Sequence, residues 1–383
     1  MILPIQLPGT IATIFALGVI VIFLLGRRIL TLVSLYRSRA DFKAKHRCQP
    51  IAAQFSGKLP LSLDFIRQNI KAARGKVFLE TLCRRFETMG PTFGVTLLWR
   101  PAVFTVAPQN IKTILSLRFN DYSLGQRPAI MGRLLGKGIF TTDGEEWSHS
   151  RAMLRPNFQK DQVADLDTFE KHIQDLLKLI PKDGSVIDLQ DLFFRFTLDS
   201  ATDFLFGHSA HSLRQSSGAD REFGEAFNYS LGELAMGFRL GPLRIFRRNP
   251  EAIKAYDYCR AYVDRFVNEA IEYRRRFLKI DPEIAEQGGK NLFLQELAKA
   301  TDNRDQIRDE LLSILIAGRD TTASLLSHLI FQLARKPESW KKLRDEVAVL
   351  DGKLPSYAQL RDFKYTKFCI QESKSLKVLY QVQ

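Results

Sequence analysis

Residues 310–323 read Glu310-Leu311-Leu312-Ser313-Ile314-Leu315-Ile316-Ala317-Gly318-Arg319-Asp320-Thr321-Thr322-Ala323. They lie in the middle of an apolar pattern that runs from about Arg304 to Arg335 and predicts a long helix, apolar on nearly every side, at the centre of a domain. The middle of this helix breaks the pattern, because a glycine there costs about 1 kcal/mol relative to alanine and Asp320 places a carboxylate in apolar surroundings. Such conflicts are typical of functional sites.

The small side chains of Ala317 and Gly318 would let a flat, bulky ligand lie against the helix backbone. Asp320 and Thr321 supply an acid and an alcohol, which are groups that can move protons. The Thr321 hydroxyl can also bond back to a carbonyl one turn earlier. Taken alone, residues 317–322 leave open a simpler interpretation, in which Gly318 only allows close packing and its polar neighbours are solvated.

The composition predicts a globular protein with a membrane-facing end. Of 383 residues, 45% are hydrophobic and 26% are charged, which excludes a disordered chain. The net charge of +14 could indicate a nucleic-acid partner. Seven lysines and arginines lie between Arg27 and Arg47 against the single acid Asp41, so +6 of that charge follows directly on an apolar segment. A membrane accounts for this cluster better, and we expect no nucleic-acid partner.

The N-terminal 26 residues contain no charged side chain, and Leu7 to Leu25 is long enough to cross a bilayer. A cleavable signal peptide is the competing interpretation, but there the positive charge precedes the apolar run. Here it follows, so the positive-inside rule predicts an uncleaved transmembrane helix with the body of the protein in the cytosol. We therefore expect an anchor over 1–26, a basic membrane-proximal tether over 27–50 and a folded domain over 51–383.

The folded domain reads as mainly α with a small β-sheet near its beginning. Helices are predicted at Asp64–Ala73 and Val77–Met89. A strand hairpin between Thr92 and Val106 follows, with its turn at Arg100-Pro101. Several glycines predict an irregular loop over Phe119–Ile139, but its Gly136-Lys137-Gly138 lacks the spacing of a phosphate-binding loop.

Other candidate sites are weaker. Trp147 and Arg151 are four residues apart on a helix predicted from Glu145 and therefore share a face, although such pairs often simply stack. His208 and His211 lie in a polar segment without a nearby carboxylate, and we expect them to be exposed to solvent. The phenylalanines at 193–206 are expected in the core. The four cysteines are far apart, which argues against a disulfide framework or a zinc site and fits a reducing compartment.

Ala317 to Thr322 resembles the oxygen-activating helix of the cytochrome P-450 monooxygenases, and Trp147 to Arg151 is similar to the W-x-x-x-R pair that donates to a haem propionate in that family. The resemblance implies a P-450 fold, haem b, and electrons from NADPH through a cytochrome reductase. It assigns six site residues: Trp147, Arg151, Ala317 and Gly318 to haem binding, and Asp320 and Thr321 to catalytic proton delivery.

Further segments look like the fungal microsomal branch that hydroxylates n-alkanes and fatty acids: Asp121–Gly125, Gly138–Phe140, Trp147–Phe158 and Thr197–Thr202. This likeness implies a long-chain hydrophobic substrate and a single-pass protein of the endoplasmic reticulum membrane.

The likeness ends near Gln371. The family continues into an E-x-x-R helix and a cysteine loop that supplies the axial thiolate of the iron, whereas Glu372 is followed by Ser375 in place of arginine, and Cys369 precedes that glutamate. We therefore expect a C-terminally truncated P-450 domain without its metal ligand, inactive as written because the thiolate favours O–O cleavage. The alternative is a non-enzymatic, membrane-tethered helical binding protein.

Overall fold

The computed structural model describes residues 9–98, 100–158, 166–214, 218–277 and 293–375. The predicted mainly helical architecture with a small sheet is confirmed. In chain order the helices are α1 (Gly9–Lys45), α2 (Leu63–Arg74), α3 (Phe78–Met89), α4 (Pro108–Lys112), α5 (Arg127–Leu135), α6 (Gly144–Leu154), α7 (Asp167–Lys178), α8 (Leu189–Phe206), α9 (Ala219–Leu240), α10 (Pro250–Phe277), α11 (Phe293–Ala300), α12 (Arg304–Ala334), α13 (Pro337–Val347), α14 (Tyr357–Asp362) and α15 (Lys364–Ser375). The strands are β1 (Ala53–Gln54), β2 (Thr92–Leu97) and β3 (Arg100–Thr105).

The sheet has the order β1-β2-β3, with β1 parallel and β3 antiparallel to β2. The predicted turn at Arg100-Pro101 is wrong, because both residues lie in β3 and Pro101 is opposite Thr96. The chain reverses earlier, where Leu98 adopts a φ of 45°. Proline is tolerated here because β3 forms the edge of the described sheet, where an N–H is not needed on the outer side.

Helix α12 is the predicted central helix. It begins after Asn303, whose side chain accepts a hydrogen bond from the backbone N–H of Gln306 at 3.2 Å and caps the helix. It packs against α8 and α10, and Ile307, Leu311 and Leu315 are fully buried. Each such side chain contributes about 1.5–3 kcal/mol on burial, so this helix holds the domain core together.

The expected phenylalanine core is confirmed for Phe193, Phe194 and Phe206, which are buried. Phe204 is half-buried and packs against the hydrophobic cluster that contains Phe206, and half-buried Phe196 packs against the separate cluster that contains Phe193 and Phe194. These side chains lie on α8 and fill the interface of that helix with its neighbours, and Phe194 also borders a cavity of about 530 Å³.

The segment predicted as an irregular loop contains a helix. Helix α5 begins at Arg127, and Pro128 in its first turn is a residue that helices accept there. Leu134 and Leu135 are fully buried and fix the helix to the core. Gly136, with a φ of 56°, ends it. The prediction over this part of 119–139 is wrong because burial of the two leucines outweighs the cost of the glycine inside the helix.

Helix α1 is the single described helix that is long and apolar enough to cross a membrane, over Leu17–Lys45 with a hydropathy of 2.0 and no part of it buried. It continues without a break past Gly26, so most of the segment expected as a tether is helical. A helix of 37 residues is about 55 Å long, well beyond the roughly 30 Å hydrocarbon core of a bilayer.

Candidate functional site

The central helix has an open face halfway along its length. Gly318, Thr321 and Thr322 are exposed and Ala317 is half-buried, whereas the turns before them are buried. Positions three and four residues apart share one side of a helix, so these residues form a continuous stripe of small and hydroxyl side chains. We call residues 317, 318, 321 and 322 the open stripe.

Gly318 is not required for close packing of helices. A Cβ atom added to it would meet only the Ala201 Cβ, at 3.9 Å, which is an ordinary van der Waals distance. The simpler interpretation, a packing glycine, is therefore not supported within the described residues. What the missing side chain provides instead is access to the backbone of α12 from outside.

The Thr321 hydroxyl donates a hydrogen bond to the carbonyl oxygen of Ala317 at 2.6 Å, so the predicted bond to the preceding turn is confirmed. Because its proton is engaged there, the oxygen is available as an acceptor on the open stripe. Asp320 points elsewhere, since consecutive residues of a helix are turned by about 100°. Its carboxylate accepts a hydrogen bond from Arg319 at 2.7 Å. The structure thus does not join the predicted acid and alcohol directly.

Arg319 and Asp320 form a buried ion pair. The guanidinium of Arg319, whose side chain is 6% exposed, lies 4.9 Å from the ring centroid of Phe194 and also donates to Asn228. Burial raises the pKa of Asp320, and the neighbouring Arg319 only partly offsets that rise. Burial likewise lowers the pKa of Arg319. Loss of solvation therefore has a larger effect on the pKa of both groups than their mutual attraction.

Trp147 and Arg151 share a face of α6, as predicted. The Arg151 guanidinium lies 5.6 Å from the Trp147 ring centroid, and the indole also packs against Phe119 at 5.0 Å. Arg151 is exposed, and no carboxylate pairs with it among the residues that the structure describes. Its charge is therefore available to an anionic group of a ligand.

The loop that leads into α6 is joined to α12 next to this pair. The N–H of Ile139 donates to Glu310 Oε2 at 3.0 Å, and Glu310 is fully buried. Glu310 precedes Ala317 by seven residues, about 10 Å along the helix axis. No hydrogen bond or ion pair in the described parts of the chain joins Trp147 or Arg151 to the open stripe, and the two groups are linked only through the loop before α6, which is bonded to Glu310 of α12.

The chain matches the cytochrome P450 family model over residues 59–373. It belongs to the cytochrome P450 family. A cytochrome P450 monooxygenase of Fusarium heterosporum, fsdH, is 49% identical over 97% of this chain and 67% of its own length. Cytochrome P450 monooxygenase himC of Aspergillus japonicus is 53% identical, over 90% of this chain and 63% of its own length. Cytochrome P450 52A10 of Candida maltosa is 40% identical, over 85% and 64%.

This P450 chain spans about two thirds of the length of the curated relatives it matches. Family members are oxidoreductases and the matched Fusarium and Aspergillus relatives are named monooxygenases. The family uses haem and electrons from a redox partner. The comparisons support the P450 family but not a particular substrate. The chain is 40% identical to the Candida protein and 49% and 53% identical to the Fusarium and Aspergillus proteins, and none of these names states a substrate.

The glycine-containing loop at 136–139 donates two backbone hydrogen bonds to successive acids of α12. The N–H of Lys137 donates to Asp309 at 2.8 Å, and the N–H of Ile139 donates to Glu310 at 3.0 Å. A Cβ added to Gly136 would lie 1.9 Å from the Asp309 carboxylate oxygen. The sequence interpretation missed this contact. The adjacent carboxylates of Asp309 and Glu310, directly before a buried apolar run, were the sequence feature that could have indicated this contact.

None of the four cysteines of this P450 chain fits the role of an axial thiolate. Cys259 is fully buried, and burial raises its pKa to about 12. Burial also raises the pKa of Cys369 on α15. Cys48 follows α1 and Cys83 lies on α3, and neither belongs to α6 or α12. The described residues therefore fit the flat face and the acidic substituents of a haem, but they include no thiolate ligand for its iron.

The interpretation of His208 and His211 as solvent-exposed residues without a carboxylate partner is wrong. Both are half-buried, and His208 Nε2 lies 3.1 Å from Asp220 Oδ2. Asp220 is twelve residues from His208 along the chain. It lies at the start of α9, which begins beside the segment that follows α8, so its carboxylate lies next to the imidazoles.

Proposed function

We propose that this chain forms the membrane-anchored, substrate-facing part of a haem-thiolate monooxygenase that hydroxylates a long-chain hydrophobic compound, an n-alkane or a fatty acid. The open stripe of α12 is the observation that carries the proposal. Gly318, Thr321 and Thr322 are exposed in the middle of a buried core helix, and no described side chain covers these three residues. The backbone of the helix is therefore accessible to a flat ligand.

Bound haem b would supply oxygen activation with electrons from NADPH through a reductase. In this proposal Ala317 and Gly318 provide the flat contact surface. Trp147 and Arg151 donate to the propionates, and stacking of the guanidinium on the indole holds both donors on one face of α6. The hydrogen bond from the Ile139 N–H to Glu310 at 3.0 Å fixes the loop that leads into α6 relative to α12.

Asp320 and Thr321 are proposed to move protons to the open stripe. Burial raises the pKa of Asp320 above that of an exposed carboxyl, which makes this group a better proton acceptor and carrier than an exposed aspartate. Thr321 accepts on the stripe while its own proton is held by the Ala317 carbonyl. Transfer between the two requires the Asp320 carboxyl to leave Arg319 and turn toward the stripe, or a water that bridges them.

The substrate class rests on the resemblance to the alkane and fatty-acid hydroxylases and on the 40% identity to the Candida protein. The apolar helix α1 supports a site at the membrane, where such substrates dissolve. We place the protein in the endoplasmic reticulum membrane, with the reductase and the folded domain on the cytosolic side.

The test is Thr321→Ala in the protein that includes a cysteine ligand loop as well as this segment, reconstituted with reductase, NADPH and a fatty acid or an n-alkane. We expect nearly unchanged substrate binding but oxygen consumption in large excess over hydroxylated product. Ser327→Ala is the matched control, because the Ser327 hydroxyl makes the same bond to the preceding turn, to Ala323 at 2.7 Å. Equal coupling in wild type and Thr321→Ala would refute the relay.

The positions of the cysteines favour a second candidate function for the 383-residue chain by itself. In this alternative it is a membrane-tethered binding protein without catalytic activity. No thiol that the structure describes is both activated and placed on α6 or α12. This candidate predicts no thiolate-type carbon monoxide spectrum when the chain is produced with haem supplied. Appearance of that spectrum would exclude it and would identify one of the four cysteines as the ligand.

A further inference from the structure

Three potential metal ligands meet at the junction between α8 and α9. His208 and His211 lie in the segment after α8, and Asp220 is the second residue of α9. One ligand atom from each residue lies within 4.8 Å of the other two, and all three residues are half-buried. His208 Nε2 is 3.1 Å from the nearer Asp220 oxygen, so two members of the group are already at contact distance.

The carboxylate and one imidazole are held by neighbouring aromatic side chains. The Tyr262 hydroxyl donates to Asp220 Oδ1 at 2.7 Å, and Asp220 Oδ2 lies 3.1 Å from His208 Nε2, so a bound cation would take the place of that hydrogen bond. The ring of His208 stacks on Phe266 with 5.3 Å between centroids. Metal sites use such outer partners to orient the ligating groups. Tyr262 is buried and stacked on Phe223 at 4.0 Å, so its hydroxyl has a fixed position.

The backbone conformation of His211 directs its side chain toward the other two residues. Its φ of 49° lies in the left-handed region, which histidine adopts only at a cost, and its N–H donates to Ser209 Oγ at 3.1 Å. This bend places the two imidazole rings 5.7 Å apart and nearly perpendicular. Ligand atoms around a tetrahedral zinc ion are about 3.4 Å apart, so ligand atoms that lie up to 4.8 Å apart here must approach one another when the ion binds.

We propose that His208, His211 and Asp220 bind one divalent cation of the zinc type. Two imidazole nitrogens and one carboxylate oxygen suit zinc and its first-row neighbours, whereas magnesium and calcium take oxygen ligands. Asp220 also lines a cavity of about 530 Å³, so water can occupy the remaining coordination position. The ion ties the segment after α8 to the start of α9 and stabilises that junction, independently of the proposed haem chemistry.

The test uses the full chain in detergent, purified without a polyhistidine tag and treated with a chelator. Calorimetric titration with Zn²⁺, and with Co²⁺ read by its visible absorption, is expected to give one equivalent bound. His211→Ala should lose this site. Tyr262→Phe keeps the stacked ring but removes the hydrogen bond to Asp220, and should weaken binding about 10–100-fold.

His46→Ala is the matched control, because this exposed histidine follows α1 and lies outside the group. It should retain the one equivalent with unchanged affinity. Far-ultraviolet circular dichroism of each variant separates loss of the site from loss of the fold. Absence of stoichiometric binding to wild type would overturn the proposal, as would equal affinity in His211→Ala, and the group would then be a hydrogen-bonded His208–Asp220 pair only.

Discussion

The backbone N–H of Ile139 donates a hydrogen bond to the carboxylate of Glu310, with 3.0 Å between the nitrogen and Oε2. The preceding residue pair repeats the arrangement, since Lys137 N–H donates to Asp309 at 2.8 Å. Asp309 is held in turn by Arg260, 3.1 Å away. Two successive acids at the start of the central helix therefore fix the loop that leads into α6, and with it the position of Trp147 and Arg151.

Gly138→Ala should destabilise the domain, because the new methyl group would lie 2.2 Å from Ser313 Oγ and 2.6 Å from the Asp309 carbonyl oxygen. Overpacking of this kind costs about 1–3 kcal/mol. The measurement is the free energy of unfolding by denaturant of the chain in detergent. Gly132→Ala is the control, because it lies inside α5 with nothing within 4 Å of the added Cβ and should be neutral or stabilising by up to about 1 kcal/mol. Equal stability of the two variants would contradict the close approach.

The central helix could be predicted from sequence because its signal is local. The apolar repeat from Arg304 to Arg335 specifies a buried helix, and α12 has nearly these bounds. The same reasoning identified Ala317 to Thr321 as a break in the pattern, and four-residue spacing put Trp147 and Arg151 on one face. These features depend on residues fewer than about thirty positions apart.

The contacts that the sequence did not reveal depend on how separate helices and loops pack against each other. Lys137 and Asp309 are separated by 172 positions, and no local pattern links a glycine loop to an acid that far away. His208 meets Asp220 only because α9 starts beside the end of α8. The orientation of Asp320 has a different cause. Its carboxylate bonds to Arg319 and not to Thr321, because the guanidinium is held beside it against the ring of Phe194.

Helix α1 offers a test of membrane insertion by paired substitutions. Leu17→Asp with Ile20→Asp places two charges in the predicted span, at a cost of about 2.5–3.5 kcal/mol each near its centre, and should release the chain from microsomes washed with carbonate. Leu30→Asp with Val33→Asp changes exposed residues of the same helix beyond that span and should leave the chain in the membrane. Retention of both variants would rule out 1–26 as the anchor.

Glu310 should make stability depend on pH. Burial raises its pKa above the usual value of 4.5, so the folded state holds the proton more tightly than the unfolded state. The stabilising contribution of the protonated form is complete below about pH 4.5 and is lost as pH rises through the raised pKa. Glu310→Gln cannot lose a proton, and its amide oxygen can still accept from Ile139. Its free energy of unfolding should therefore increase relative to wild type between pH 4.5 and pH 8.

Glu310→Leu is the companion variant for the same position. It removes the charge but also removes the acceptor of the Ile139 N–H, and a buried donor without a partner costs about 1–3 kcal/mol. We expect Glu310→Leu to be less stable than Glu310→Gln across the pH range, with no difference between their pH profiles. A wild-type profile parallel to that of Glu310→Gln would show that the carboxyl does not titrate with folding.

Arg319 and Asp320 should behave as a coupled pair in a double-mutant cycle. Arg319→Met keeps an apolar side chain between Phe194 and Phe227, whose ring centroids lie 4.9 and 5.8 Å from the guanidinium, but it leaves the Asp320 carboxylate buried without its cation. Breaking one side of a buried pair costs about 3–5 kcal/mol. Adding Asp320→Asn removes the stranded charge, so the double variant should be more stable than Arg319→Met alone.

Arg335→Met is the control for that cycle. Arg335 also stacks on an aromatic ring, that of Phe331 at 5.3 Å, but it is exposed at the end of α12. An exposed contact of this kind contributes about 0.5–1 kcal/mol, so the loss should be small and unaffected by Asp320→Asn. Strict additivity of Arg319→Met and Asp320→Asn would show that the pair is not coupled. Asp320 would then turn toward Thr321 without the energetic cost of leaving Arg319.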